Sequence, residues 1–156
     1  MKGDATVIEA LNKALTIELT AVNQYFLHAR MCNHRGYRKL GKRFYDESIE
    51  EMRHADRLIT RILFLEGAPN ISRYGEIRIG TTVKEQFENS LKLEKSAVKA
   101  YNEAIALAAE TKDAGSREVM EGILTESEED LEWIEAQLRV IEEIGLPDYL
   151  ALQVGE

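Results

Sequence analysis

The 156 residues suit one domain with a single sizeable core, and two prolines with 44% hydrophobic content favour long helices over a loop-rich fold. With 28 acidic residues against 20 basic ones, a net charge of −8 and no basic tail, the chain is a poor candidate for binding nucleic acid and suits attraction of cations. No apolar run approaches the ~20 residues of a membrane span, the opening Met-Lys-Gly-Asp has no hydrophobic signal core, and one cysteine, Cys32, excludes an intrachain disulfide framework; a reducing cytoplasm is expected.

Four helical segments of about thirty residues, or about 45 Å each, are predicted in chain order. The first runs from Asp4 to Asn33, with Gly36 as its stop. The second runs from Tyr37 to Glu66 and meets Gly67 and then Pro69, a helix-stopping order. The third opens on Thr82-Val83-Lys84-Glu85, a capping box, and continues to Thr111; Lys112-Asp113-Ala114-Gly115 makes a tight reversal. The fourth runs from Ser116 to Ile144 and stops at Gly145. A short fifth segment from Pro147 to Gln153 carries proline where a first helical turn tolerates it. The two short connections make antiparallel neighbours, whereas residues 67–81 are long enough to travel the bundle and join parallel helices. The expected fold is an all-α, ferritin-like four-helix bundle with one long crossover and a short C-terminal helix, a single domain over residues 1–156 with the bundle at about 4–144.

Inward stripes at three- and four-residue spacing locate the chemistry. The first reads Leu11, Leu15, Glu18, Val22, Tyr25, Ala29; the second Phe44, Ser48, Glu51, His54 with Ala55, Leu58, Ile62. The third reads Val83, Phe87, Ser90, Glu94, Ala97, Tyr101, Ile105, and the fourth Met120, Leu124, Ser127, Leu131, Ile134, Leu138, Ile141. A carboxylate interrupts each of the first three near its middle. One glutamate in a helix is commonly a solvated residue, but an unpaired buried carboxylate costs several kcal/mol, so three together with a histidine call for a cation. Oxygen-rich ligands with one imidazole suit iron or manganese better than structural zinc.

Several motifs carry a family resemblance: Met-Lys-Gly-Asp at the start, Asn23-Gln24-Tyr25-Phe26-Leu27-His28-Ala29-Arg30, Glu47-Ser48-Ile49-Glu50-Glu51-Met52-Arg53-His54-Ala55-Asp56-Arg57, Arg61 to Gly67, and Gly145-Leu146-Pro147-Asp148-Tyr149-Leu150. Across essentially its whole length the chain resembles the bacterioferritins. The resemblance implies iron storage and detoxification in a hollow 24-mer built from two-fold dimers, ferroxidase activity toward Fe(II), and no membrane or nucleic-acid partner. The family's di-iron pattern is a glutamate from two helices and Glu-x-x-His from the other two. By that pattern Glu18 and Glu94 are the single glutamates, and Glu51 with His54 the first Glu-x-x-His. The second falls on Ser127-Glu128-Glu129-Asp130. Four of six ligands remain, with Asp130 a shorter candidate in place of histidine. Glu126 and Glu128 lie about 100° around the helix from the inward line, and with Glu129 they read as a solvated acidic face. The expectation is a weak or mononuclear centre and slow oxidation, so that whether this chain alone is an enzyme is left open. It either relies on a ligand-complete partner subunit or uses a rearranged centre with Asp130; a DNA-protecting mini-ferritin is a remote alternative.

Met52 points about 100° away from the metal line and joins Tyr45, Ile49 and Ile59 in a second apolar stripe, while Leu19 and Phe26 mark an outer face on the first helix. Two apolar faces on a helix argue for an oligomer. Gap-filling at a dimer contact is the plain reading of Met52; the resemblance implies that it supplies an axial thioether to haem b between two subunits. It also implies that Asp46 and Glu50 face the shell interior and collect iron, which a solvated face explains nearly as well. Tyr25 is a candidate donor beside the metal site, His28 and His34 lack ligand partners, and Cys32 reads as a small core residue.

Overall fold

Four long helices and a short fifth follow in the order α1 (Ala5–His34), α2 (Arg38–Phe64), α3 (Val83–Glu110), α4 (Ala114–Ile144) and α5 (Leu146–Ala151). The computed structural model describes residues 1–155, and no strand occurs among them; residue 156, the last of the expected single-domain span, lies outside the described residues. No described helix is long and apolar enough to cross a membrane.

Local chemistry sets the helix ends. The Asp4 side chain accepts the Thr6 and Val7 N–H groups at the start of α1. At its end Gly36 takes φ 89°, and the Gly36 and Tyr37 N–H groups bond back to the Asn33 and Cys32 carbonyls. The α2 end differs from expectation. The left-handed position is filled by Glu66 (φ 61°) rather than Gly67, and α2 stops at Phe64. Gly67 is needed for a close approach instead, since a Cβ there would stand 2.7 Å from Ile8 Cγ2. The capping box of α3 is also modified. Thr82 Oγ1 accepts the Glu85 N–H, but the Glu85 carboxylate takes the N–H and hydroxyl of Thr81, one residue earlier than a reciprocal box requires. Between α3 and α4, Lys112 adopts φ 59° and Asp113 caps Ser116, so α4 starts two residues before the expected Ser116.

α1 packs chiefly on α2 and α3 on α4, with further contacts of α1 to α3 and α2 to α4. Two apolar clusters define the directions. One joins the N-terminal half of α1 (Leu11, Leu15) to the C-terminal halves of α2 (Leu58, Ile62) and α3 (Tyr101, Ala104) and the start of α4 (Met120, Ile123). The other joins Tyr25 and Ala29 to Phe44, Phe87, Ile134 and Tyr149. Hence α2 and α3 run parallel, and the crossover must return along the bundle.

One face of α1 fixes that crossover. Asn12 Oδ1 accepts the Asn70 N–H, Thr20 Oγ1 that of Gly75, Gln24 Oε1 that of Arg78 and His28 Nε2 that of Gly80, all at 2.8–3.0 Å. This is the role of His28: burial lowers its pKa to about 4, so the ring stays neutral and can accept. At Gly80 a Cβ would meet the Gln86 backbone nitrogen at 2.5 Å, so only glycine brings the chain this close to α3.

The stripes are buried in most positions, with Val22, Ile105, Leu124, Leu131 and Leu138 half-buried. Leu19, expected on an outer face, is 8% exposed and packs in the first cluster; Phe26 does stand outward at 43%. Cys32 is buried and donates to Gln86 Oε1, burial pushing its thiol up to about 11. Between the clusters lies a layer of buried polar residues: Glu18, Glu47, Ser48, Glu51, His54, Ser90, Glu94, Ser127 and Asp130. Each fully buried Leu or Phe contributes about 1.5–3 kcal/mol, and the flanking clusters offset the desolvation of this layer.

Candidate metal centre

Mid-bundle geometry brings the carboxylates of three helices onto the α2 histidine and onto Asp130 of α4. His54 Nδ1 lies 3.4 Å from Glu18 Oε2 and 3.5 Å from Glu51 Oε2. Glu18, Glu51 and His54 each offer a ligand atom within 4.8 Å of the others, and so do Glu51, Glu94 and Asp130. The two triads share Glu51, whose two oxygens let it serve both. Two tyrosines orient the outer glutamates crosswise. Tyr101 of α3 donates to Glu18 Oε1 at 2.5 Å, and Tyr25 of α1 donates to Glu94 Oε1 at 2.8 Å. Each tyrosine lies two turns beyond the glutamate of its own helix and reaches the glutamate of the other, as antiparallel α1 and α3 require.

The remaining atoms are short of partners. Glu18 Oε2, Glu51 Oε1, His54 Nδ1 and Asp130 Oδ2 are buried and accept or donate no hydrogen bond among the described residues. Buried polar atoms are normally satisfied, so a cluster of orphans facing one another fits a cation.

Protonation follows the same logic. Burial drives Glu51 well above the ordinary carboxylate range, and the neighbouring Glu18 charge adds to it. Burial also pulls on Glu18, but the adjacent Glu51 carboxyl and His54 ring, together with the Tyr101 hydrogen bond, outweigh it and hold its pKa below the usual value. Burial raises Glu94 to about 8 against the Tyr25 hydrogen bond, and raises Asp130 to about 10 with help from Glu47 and Glu94. For His54, burial favours the neutral ring, yet its contacts with Glu18 and Glu126 prevail and lift it to about 9. Protons hold the metal-free layer together at the places where cations would sit.

A matching family model, the ferritin-like domain, covers residues 8–144. The chain is 44% identical to the bacterioferritin of Rhodobacter capsulatus, over 99% of this chain and 96% of that protein. It is 44% identical to the Brucella melitensis bacterioferritin, over 96% and 92%, and 43% identical to that of Streptomyces coelicolor, over 100% and 93%. The chain belongs to the bacterioferritin family. Iron storage is the function this membership carries, and the mini-ferritin alternative is not favoured.

At the two α4 positions where the resemblance expects a second Glu-x-x-His, this chain carries Ser127 and Asp130. Ser127 is buried with its hydroxyl unpartnered, and Asp130 is buried one turn later. Two acids near the centre escaped sequence reasoning. Glu126, expected on a solvated face with Glu128 and Glu129, keeps a side chain 41% exposed and also contacts His54 Nε2 at 2.5 Å, while Glu128 and Glu129 are exposed. Glu47 is buried on the stripe one turn before Glu51, where its pairing with Arg43 at 2.8 Å imitates a surface ion pair. Asp46 is exposed, paired with Lys42, and joins no cluster, whereas Glu50 is half-buried 3.9 Å from His54 Nε2. His34 is exposed. Met52 stands outward at 48% exposure in a shallow depression of about 410 Å³ with Ile49, Arg53, Asp56 and Ile59.

Proposed function

We propose that this chain is the haem-bearing subunit of a hollow 24-mer built from two-fold dimers, which takes up Fe(II) at Glu18, Glu51, His54 and Glu94 and stores it as an Fe(III) mineral. Iron here is substrate and cargo. The observation that carries the reading is the pair of buried triads with unpartnered ligand atoms. His54 Nδ1 faces Glu18 and Glu51, and Glu126 on Nε2 fixes the ring, the usual arrangement of a ligating histidine held by an outer carboxylate.

Oxidation is weakened for an electronic reason. Two Fe(II) held side by side deliver two electrons together, so that 2 Fe(II) + O₂ + 2 H⁺ gives 2 Fe(III) + H₂O₂; an ion held alone supplies only one. The first ion keeps Glu18, Glu51 and His54. The second keeps a share of Glu51, with Glu94 and Asp130, and loses the bridging carboxylate that Ser127 replaces.

Haem b fits the face around Met52. A soft thioether, exposed beside Ile49 in an apolar depression, suits haem iron, and one thioether per chain makes a second copy of the chain the source of the other. Haem there supplies a one-electron redox centre. Tyr45, Phe26 and Ile49 extend the exposed apolar surface, with Phe26 and Tyr45 ring centres 6.1 Å apart. Asp46 and Glu50 are assigned to collecting iron at the inner surface.

The second reading is a homomeric ferroxidase with Asp130 as ligand, favoured by the closeness of Asp130 to Glu51 and Glu94. Charge supports it too: Glu18, Glu51, Glu94 and Asp130, all ionised around a neutral His54, carry four negative charges, matching two divalent ions. Mass spectrometry and visible absorption of the shell from its native source decide between the two. Two polypeptides and a thioether-ligated haem band are expected, with the band lost in Met52→Leu. A shell of this chain alone that fills with iron at an ordinary rate contradicts the mixed shell, and a haem band that survives Met52→Leu contradicts the haem assignment.

A further inference from the structure

Beside the two triads, a third group of acids lies between α2 and α4: Glu47, Glu50 and Asp130, each with an oxygen within 4.8 Å of the others. Its orphaned atoms distinguish it from an ordinary acidic cluster. Glu47 and Asp130 are each 5% exposed, and Glu47 Oε2 and Asp130 Oδ2 are buried with no donor to meet them. Their other oxygens face Arg43, whose Nε lies 2.8 Å from Glu47 Oε1 and whose terminal nitrogen lies 3.9 Å from Asp130 Oδ1. The guanidinium is held in that place by stacking on Trp133, 3.9 Å from the ring centre. Arg43 therefore covers one side of the acids and leaves the opposite oxygens free.

We propose that Glu47, Glu50 and Asp130 hold a divalent cation next to the Glu18–Glu51–His54 position, so that this chain places its second metal ion toward Glu47 and Glu50 rather than where Ser127 stands. Three carboxylates and one guanidinium carry a net charge of −2 when all are ionised, which one divalent ion neutralises. An all-oxygen set suits a hard cation such as Mn(II) or Fe(II). Glu50 gives the position its access. Its side chain is 29% exposed, and with Glu126, 41% exposed, it forms an acidic path from solvent to His54 Nε2, which lies 3.9 Å from Glu50 Oε1 and 2.5 Å from Glu126 Oε2. On the other side Glu94 already accepts the Tyr25 hydroxyl. The substitution of Asp130 for histidine thus has a constructive consequence. A short carboxylate reaches the Glu47 side, where an imidazole would present a nitrogen to an acid already held by Arg43.

The inference deepens the iron-storage reading and rests on it for the identity of the natural ion, though not for the site's existence. Crystals of the assembled protein soaked in Mn(II) without oxygen are expected to show anomalous peaks both at Glu18–Glu51–His54 and between Glu47, Glu50 and Asp130. Glu47→Gln is expected to erase the second peak and keep the first. In solution Arg43→Gln, which removes the competing cation, is expected to tighten the corresponding Mn(II) binding by about tenfold. A wild-type peak at the first position alone overturns the new site and leaves the iron-centre reading standing; absence of both overturns both. A second peak that persists in Glu47→Gln also overturns the proposal, as does an Mn(II) affinity unchanged by Arg43→Gln, which applies even if Glu47→Gln fails to assemble.

Discussion

Ser127→Glu combined with Asp130→His is expected to raise the initial rate of Fe(II) oxidation by about 10- to 100-fold over the unmodified chain, measured by anaerobic mixing with O₂ in stopped flow. The size follows from ligand loss. Disturbing an outer partner of a metal site already costs about 10- to 100-fold, and a missing bridging carboxylate is a larger defect. Charge does not confound the comparison, because the double variant exchanges the Asp130 carboxylate for one at position 127 and keeps the total. What changes is the number and reach of the ligands. Both positions are buried on the inward stripe of α4, so the new side chains enter the layer rather than solvent. An unmodified chain as fast as the double variant would make weakened oxidation wrong and favour the rearranged homomeric centre.

Glu51→Gln is expected to abolish cation binding at both triads and, at the same time, to stabilise the metal-free protein at pH 8. Glu51 is the residue the triads share, so no other single change removes both. The stabilisation follows from the direction of the shifts. Burial first, and neighbouring carboxylates after it, raise Glu51 well above 4.5 and Asp130 from 3.8 to about 10; burial likewise raises Glu94 from 4.5 to about 8. Contributions of such groups are fully present below their unfolded values and are lost as pH rises through the folded ones. His54, raised from 6.5 to about 9, adds a loss in the same direction over that interval. The metal-free protein therefore weakens progressively from about pH 4.5 to pH 10. Glutamine cannot ionise, and the variant escapes part of that loss, about 1–3 kcal/mol. A chain of this size shifts its melting temperature by about 2–4 °C for each kcal/mol. Added Mn(II) at about a hundred times its dissociation constant stabilises the unmodified chain by a further ~2.7 kcal/mol and stabilises Glu51→Gln by less, since only the groups without Glu51 are left to bind it. Calorimetric melting at pH 6 and pH 8, with and without Mn(II), checks both statements; a variant less stable than the parent at pH 8 would assign Glu51 a purely structural role.

The architecture was legible because helical periodicity and loop length are local properties. The inward positions of Glu18, Glu51, His54 and Glu94 follow from residues three and four apart, and the parallel pairing of α2 and α3 from the length of residues 67–81. Contacts made across helices were not legible. Glu126 looks solvated within α4, and only the approach of α2 puts it on His54. Leu19 looks like part of an outer face until neighbouring helices cover it. Glu47 was hidden by Arg43, four residues earlier, since a helical pair at that spacing usually marks a solvated surface. Tyr101 carried the same signal as Tyr25, an inward tyrosine two turns from a glutamate, and that spacing could have identified it. Thr81 and Glu66 show the limit of end signals: motifs locate a helix terminus to within a residue or two, and packing chooses the residue that completes it.

Proton release on iron binding tests most directly whether the buried layer is built for a cation. Anaerobic Fe(II) is titrated into metal-free protein at pH 7 by calorimetry in two buffers that differ in protonation enthalpy. Because Glu94, Asp130 and His54 hold protons there, saturable binding with release of about one proton or more per ion is expected. Saturable binding whose heat is the same in both buffers, or no saturable binding at all, would contradict it.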